Sequence, residues 1–297
     1  MSVAKPERYS SRYTRGFLRM LSNDGQALTD KLVEQFYTSK SYQERLEAIK
    51  YLISVNGKYD FSVKVFADAL NDFCSQVKVY VLKNFDFTIE IDPQIKACLV
   101  NIAKNDEKLQ LRTLALEKLA QFNDQQYYDL FFSASLLKGS KESSAGLIGL
   151  YQLDREKAYQ MAKFRTETSS GNLDLAIAEI FLQEGDIDDL AFIQQRLKAR
   201  KKFNKIELIR IYLKLIGRLE IDAIVKSHLL YISEDIVATS NRELIQLLIL
   251  ELHQFVSAYQ VFLEKNLELH SYVNKMINSL LERNYKRSIK QDPFGPI

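Results

Sequence analysis

Ser41–Val55 reads SYQERLEAIKYLISV, and its pattern returns at 74–85 as CSQVKVYVLKNF and at 108–121 as KLQLRTLALEKLAQ. In the first copy Leu46, Ile49, Tyr51 or Leu52, and Ile53 recur at three-to-four-residue spacing, while Glu44, Arg45, Glu47 and Lys50 fill the other face. That period places the apolar side chains on one face of an α-helix and the charges on the other. The aligned copies keep a basic residue followed by apolar residues three and seven positions on: Arg45, Ala48, Leu52; Lys78, Val81, Phe85; Arg112, Ala115, Leu119. The basic residues stand 33 and 34 residues apart, and Ser144, Leu147 and Tyr151 form a looser fourth copy 32 residues further on.

Between the copies lies a second helical pattern each time. Phe61–Leu70 carries Val65, Phe66, Ala69 and Leu70 on one stripe, and a polar turn, Asn71-Asp72, leads into the next copy. Helix pairs recurring at this period signify stacked units that cannot bury their faces alone. In the second and third copies an Asp, Asp72 or Asp106, stands six residues before the basic residue. Placed there, the carboxylate can accept from the free N-H groups that open the second helix. The basic side chain can reach the turn of a neighbouring unit. The expected fold is therefore all-α, a HEAT-like α-solenoid, a right-handed superhelix of antiparallel helix pairs.

Composition agrees with an all-helical chain. Ten glycines and four prolines make about 5% of the 297 residues, against roughly 12% in average proteins, too little turn chemistry for a many-stranded sandwich or barrel. Further helices are expected over 93–103, with Asp92 as N-cap and Pro93 in the first turn, and over 125–136, 140–151, 155–164, 173–184, 187–198, 205–219, 221–234, 242–259 and 261–289. The reading leaves 1–30 as an unassigned N-terminal segment, makes 31–290 one solenoid domain and 291–297 a tail.

The stretches Tyr37–Leu52 (YTSKSYQERLEAIKYL), Ala67–Phe85 (ADALNDFCSQVKVYVLKNF) and Asn105–Phe122 (NDEKLQLRTLALEKLAQF) resemble the helical C-terminal domain of aminopeptidase N-like zinc metallopeptidases, bacterial members above all. Ser140–Tyr151, Asp154–Lys163 and Leu173–Gly185 continue the likeness in the same order, so that it covers roughly residues 31 to 220. The resemblance implies an accessory α-solenoid that bounds a substrate chamber beside a catalytic domain and supplies no zinc ligand. The family's zinc site needs H-E-x-x-H, two His at i and i+4 with a Glu that activates water. Here the histidines are His228, His253 and His270; none precedes a Glu and no two are four apart. The family's G-x-M-E-N loop is absent too, so no catalytic residue transfers to this chain, and no enzyme and no cofactor are expected of it.

Other groupings weigh less. His253 and His270 can approach across the last helix pair, but two imidazoles without a third donor make a poor metal site. Glu184, Asp186, Asp188 and Asp189 form an acidic run at a turn that opens a helix, where capping and the helix dipole favour carboxylates. Cys74 and Cys98 fall in apolar patterns and are expected to be buried as small hydrophobes.

Forty-one Lys and Arg against 38 Asp and Glu give a net charge of +3, too balanced for a dedicated nucleic-acid binder. The sharpest local charge is Arg196, Lys198, Arg200, Lys201, Lys202 and Lys205, where one helix ends and another begins. It reads as a solvated helix end, or as a patch for an anionic partner. The basic residues before Met20 and the tail residues Arg283, Lys286, Arg287 and Lys290 read as exposed ends. Met1–Met20 has no apolar core of a signal peptide, and Leu244–Leu250, interrupted by Gln246, is far shorter than the roughly 20 residues that span a bilayer, so a soluble chain is expected. Three functions follow in order: a non-catalytic scaffold and chamber wall partnered by a metallopeptidase catalytic domain; a free-standing HEAT-repeat adaptor that binds a protein or peptide; and a HEAT-like DNA-binding protein using the basic patch. Helical-repeat DNA glycosylases are the comparison for the third, yet the chain has no Trp and no visible base-stacking set.

Overall fold

The computed structural model describes residues 25–88, 92–199, 202–239 and 241–291, and their side chains except at 199, 202–204 and 286–291. Among these residues there is no strand; sixteen α-helices and two 3-10 turns account for the regular structure. Contacts gather in two compact units that meet between Leu130 and Phe131, where the sequence reading drew one domain over 31–290.

The first unit contains α1 (Gly25–Thr38), α2 (Tyr42–Ser54), α3 (Lys64–Leu70), α4 (Ser75–Asn84), α5 (Pro93–Asn105) and α6 (Leu109–Ala120). The expected start at residue 31 falls inside α1. Its pairs are α1 with α2, α3 with α4 and α5 with α6; α2 also packs on α4, α4 on α6, and α3 on α5. The recurring apolar positions all point inward: Ala48, Leu52, Val81, Phe85, Ala115 and Leu119 are buried. Pro93 occupies the first turn of α5, and Asp92 Oδ1 accepts from Gln94 N at 2.7 Å, as expected of an N-cap.

The turn carboxylates do both jobs that their spacing suggests. Asp72 Oδ1 accepts from Cys74 N at 2.6 Å, at the start of α4, and Asp106 Oδ1 accepts from Lys108 N at 2.9 Å, at the start of α6. Arg45 of α2 donates to both oxygens of Asp72, from Nε at 2.7 Å and Nη2 at 3.0 Å, while its Nη1 donates to Ser39 O at 3.1 Å. Lys78 of α4 reaches Asp106 at 2.5 Å. Each pair is thus fastened to the next through the carboxylate that caps the next pair's second helix. The exposed Phe73 ring lies 4.2 Å from the Arg45 guanidinium carbon and lids the first clamp.

Beyond α7 (Tyr128–Ser135), which begins in the first unit, the second unit contains α8 (Ser140–Leu153), α9 (Arg155–Arg165), α10 (Asn172–Glu184), α11 (Leu190–Ala199), α12 (Lys202–Leu219), α13 (Asp222–Ala238), α14 (Arg242–Ala258), α15 (Gln260–Lys265) and α16 (Leu267–Gln291). One row runs α8, α10, α12, α14, each packed on the next, with α9, α11 and α13 behind it. Leu147 of the looser fourth copy is buried, but Tyr151 stays half-exposed and donates to Glu184 Oε1 at 2.6 Å.

Here the fastening changes form. Arg165 donates to Ser135 O and, at 3.1 Å, to Leu137 O; Arg196 donates to Thr166 O at 2.5 Å; Arg218 donates to Gly185 O and, at 3.4 Å, to Phe181 O. Each guanidinium reaches back to carbonyls at the end of an earlier helix, groups that a helix cannot satisfy from within. Asp186 and Asp189 repeat the earlier device: both serve the turn ahead of the next helix, Lys163 lies 3.8 and 3.7 Å from them, and Asp189 also receives Tyr159 Oη at 2.8 Å.

The expected single helix over 261–289 is two. Asn266 interrupts it, because its side chain accepts from Leu269 N at 3.0 Å and donates to Asp222, offering the backbone a cap in place of a helical turn. No described helix is long and apolar enough to cross a membrane.

Candidate functional site

α12 carries Arg210, Lys214 and Arg218 at four-residue spacing, which sets them on one face, one turn apart. That face looks into a groove of about 600 Å³ bounded by Leu182 and Gln183 of α10, by Leu213 of α12, and by Glu251, Gln254, Phe255 and Ala258 of α14, with Tyr259 at its end. A second hollow of about 430 Å³, between α8, α10 and α12, shares Leu182, Gln183 and Lys214 with the first and brings in Ile148, Glu179 and Glu207. The two are neighbours along the α8–α10–α12–α14 row, with the three shared residues in both walls.

A glycine shapes its wall. A Cβ built on Gly217 falls 2.2 Å from Tyr259 Cε2, so only glycine lets the ring lie against α12, where Tyr259 Oη donates to Lys214 O at 2.9 Å. Burial pushes the Tyr259 phenol upward, with Arg218 opposing and Glu220 adding to the shift.

The charges are unevenly matched. Arg210 donates from Nε to Glu251 Oε1 at 2.7 Å and from Nη1 to Glu207 at 3.3 Å, and the bond to Glu251 holds its proton more tightly than usual. Among the described residues Arg218 bonds to carbonyls alone. Lys214 is exposed and, among the described residues, has no ion pair. Desolvation raises the Glu179 carboxyl, Glu207 adds to the rise and Lys214 opposes it.

Behind the groove, α11, α12 and α13 share a polar knot. Gln194 Nε2 lies 2.6 Å from the buried Tyr212 Oη and 3.1 Å from His228 Nδ1, and Tyr212 Oη also meets that nitrogen. Two donors facing Nδ1 assign it as the acceptor, so the imidazole carries its proton on Nε2. Burial depresses the His228 pKa and raises that of Tyr212.

Comparison with protein-family models, with curated proteins and with solved structures finds no match. The geometry alone carries the site.

Of the basic cluster named from sequence, Arg200 and Lys201 lie outside the described residues, as does the side chain of Lys202. Arg196 lies 3.2 Å from Asp174 and 5.0 Å from the Phe192 ring. Lys205 is buried and paired with Asp235 at 2.7 Å. Of the described side chains of this cluster, Lys198 alone is exposed, over the Tyr231 ring. Two members face inward because each reaches a carboxylate on a neighbouring element, so the described residues do not form one exposed patch.

The acidic run serves its turn: Asp186 and Asp189 make a reciprocal capping box ahead of α11. Among the described residues no group of three or more His, Cys, Asp or Glu is gathered as metal donors would be. Cys74 and Cys98 are free and half-buried rather than buried; Cys98 stays near the surface, its sulfur accepting from Asn71 Nδ2 at 3.1 Å. Arg283 borders a hollow between α13 and α16, while the side chains of Lys286, Arg287 and Lys290 and the segment before residue 25 lie outside the described residues.

Sequence reasoning passed over Lys214, Arg218 and Tyr259. For the two cations the signal was present in the C-terminal half of α12, where Arg210, Lys214 and Arg218 recur every fourth position among apolar residues.

Proposed function

We propose that the chain is a non-catalytic helical-repeat body of the HEAT-like kind, which works by shape and holds a segment of a partner protein in the groove across α8, α10, α12 and α14. The repeat character is supported by the clamps Arg45 to Asp72 and Lys78 to Asp106, two instances of one bond a period apart. The carrying observation for binding is the groove itself, a depression floored by Leu182 and Leu213 and edged by charges that the fold leaves unmatched. Pockets that combine apolar lining with a few placed polar groups are the usual ligand sites of helical folds.

The test is selection of a displayed random peptide library against the full chain, followed by titration of the winners. Binding that disappears in Leu182→Arg, which fills the place where both hollows meet, supports the reading. Binding indifferent to that change refutes it. Stoichiometric zinc with hydrolysis of aminoacyl chromogenic substrates would overturn the non-catalytic part.

A second reading, the chamber-walling accessory domain of an aminopeptidase N-like metallopeptidase, is favoured by one observation: both clamps fall within the three stretches that carry the resemblance. Under it, an H-E-x-x-H reading is expected in the adjoining coding sequence. The DNA-binding reading loses ground, since Arg196 and Lys205 are committed to intramolecular bonds.

A further inference from the structure

We propose that the groove along α12, between α10 and α14, takes an acidic, extended peptide segment, whose carboxylates seat on Lys214 and Arg218 and whose apolar side chains pack on Leu182 and Tyr259. The inference rests on the groove being a binding site and names what it binds.

Charge complementarity carries the argument. Of the three cations that α12 presents, Arg210 is answered by Glu251 and Glu207. Lys214 and Arg218 have no carboxylate within ion-pair distance among the described residues. Arg218 is held by the carbonyls of Phe181 and Gly185, neutral acceptors that fix the guanidinium and leave its charge in place. A cation fixed before binding loses little freedom when a carboxylate arrives. The lining itself holds these three cations against two acids, Glu251 and Glu220, while Glu207, which also meets Arg210, lines the adjoining hollow, so the complementarity is local to Lys214 and Arg218.

Spacing agrees with an extended ligand. Residues four apart on a helix are separated by about 6 Å along its axis. Alternate side chains of an extended strand are separated by about 6.6 Å and point the same way. For a segment lying along α12, two acids flanking one residue of the ligand therefore match Lys214 and Arg218, and the intervening side chain faces away from α12, toward the flanking walls that hold Leu182 and Tyr259. A polyanion such as nucleic acid fits worse, because Glu220 and Glu251 border the same groove and Glu179 and Glu207 line the adjoining hollow. The ligand's acids belong at one end.

The experiment uses the full chain and three fluorescein-labelled dodecapeptides read by fluorescence anisotropy. One begins Glu-Leu-Glu-Phe and continues with neutral residues; in the others Gln or Lys replaces both Glu. The acidic peptide is expected to bind at least about tenfold more tightly than the Gln peptide and to weaken as salt rises. Lys214→Gln and Arg218→Gln should each weaken it about tenfold, Arg218→Lys less, and Lys198→Gln on another face not at all. Circular dichroism and thermal melting establish that each variant is folded, and Lys214, being exposed, is the variant least able to disturb the fold. Equal binding of the acidic and Gln peptides, or indifference to Lys214→Gln in a folded protein, overturns the inference. If peptides of all three charges bind and are lost in Leu182→Arg, the groove reading survives and this inference falls. If none binds, both fall.

Discussion

Removing the Asp72 side chain should damage the first unit more than its size suggests. Arg45 and Asp72 are joined by two hydrogen bonds with only 6% and 4% of their side chains exposed. Breaking a buried pair from one side strands a charge and costs about 3–5 kcal/mol. Asp72→Ala also removes the cap on Cys74 N, worth about 1 kcal/mol. The expected loss is therefore roughly 4–6 kcal/mol for Asp72→Ala and about 3–5 kcal/mol for Arg45→Met. Asp72→Asn keeps an oxygen for Cys74 N and isolates the charge contribution. Urea titrations followed by circular dichroism on the wild type, Arg45→Met, Asp72→Asn and the double variant that combines these two complete a double-mutant cycle. The double variant should lose less than the sum of the singles, with a coupling of about 2 kcal/mol or more, because no buried charge is left alone. Additive losses within about 0.5 kcal/mol would show that the two residues act independently and that the clamp does not fasten the helix pairs.

His228 gives a pH dependence of known sign. Its folded pKa is depressed by burial below the usual 6.5, so between those two values the unfolded chain binds more protons and stability rises with pH. The urea midpoint should fall as pH drops below about 6.5, and His228→Gln should flatten that slope; an unchanged slope refutes the depression of the His228 pKa by burial. Gly217→Ala drives a methyl into the Tyr259 ring, and should lower stability by about 1–3 kcal/mol and weaken peptide binding together; a melting temperature and affinity equal to wild type would show that the ring does not wall the groove. Burial raises the Cys98 thiol pKa, so in a Cys74→Ser background Cys98 should react with a disulfide reagent more slowly at pH 8 than an unstructured cysteine peptide; an equal or faster rate contradicts its environment.

The first unit was legible because its fastenings join side chain to side chain. Asp72 and Asp106 repeat with Arg45 and Lys78 at one period, and a period is visible in sequence. The second unit was less legible because Arg165, Arg196 and Arg218 bond to backbone carbonyls, and carbonyls belong to every residue alike. The same blindness placed Arg196 and Lys205 on an exposed patch, since Asp174 and Asp235, their partners, lie on other elements. Asn266 was passed over inside 261–289 because apolar spacing continues across it, and only the contact with Asp222 shows that the helix stops. The groove required knowing that α10, α12 and α14 lie side by side, although the cationic spacing of α12 could have been noticed unaided.

The double duty of Asp72 and Asp106 sets a rule for how this chain can change length. Excising residues 72–105 joins Asn71 to Asp106 and delivers to Arg45 an acid in the same place relative to the helix that follows. Excising half as much offers Arg45 no such acid and leaves a guanidinium in the interior without a counterion. Insertions obey the same arithmetic, so whole modules can be gained or lost in register, whereas fractional ones meet an electrostatic veto.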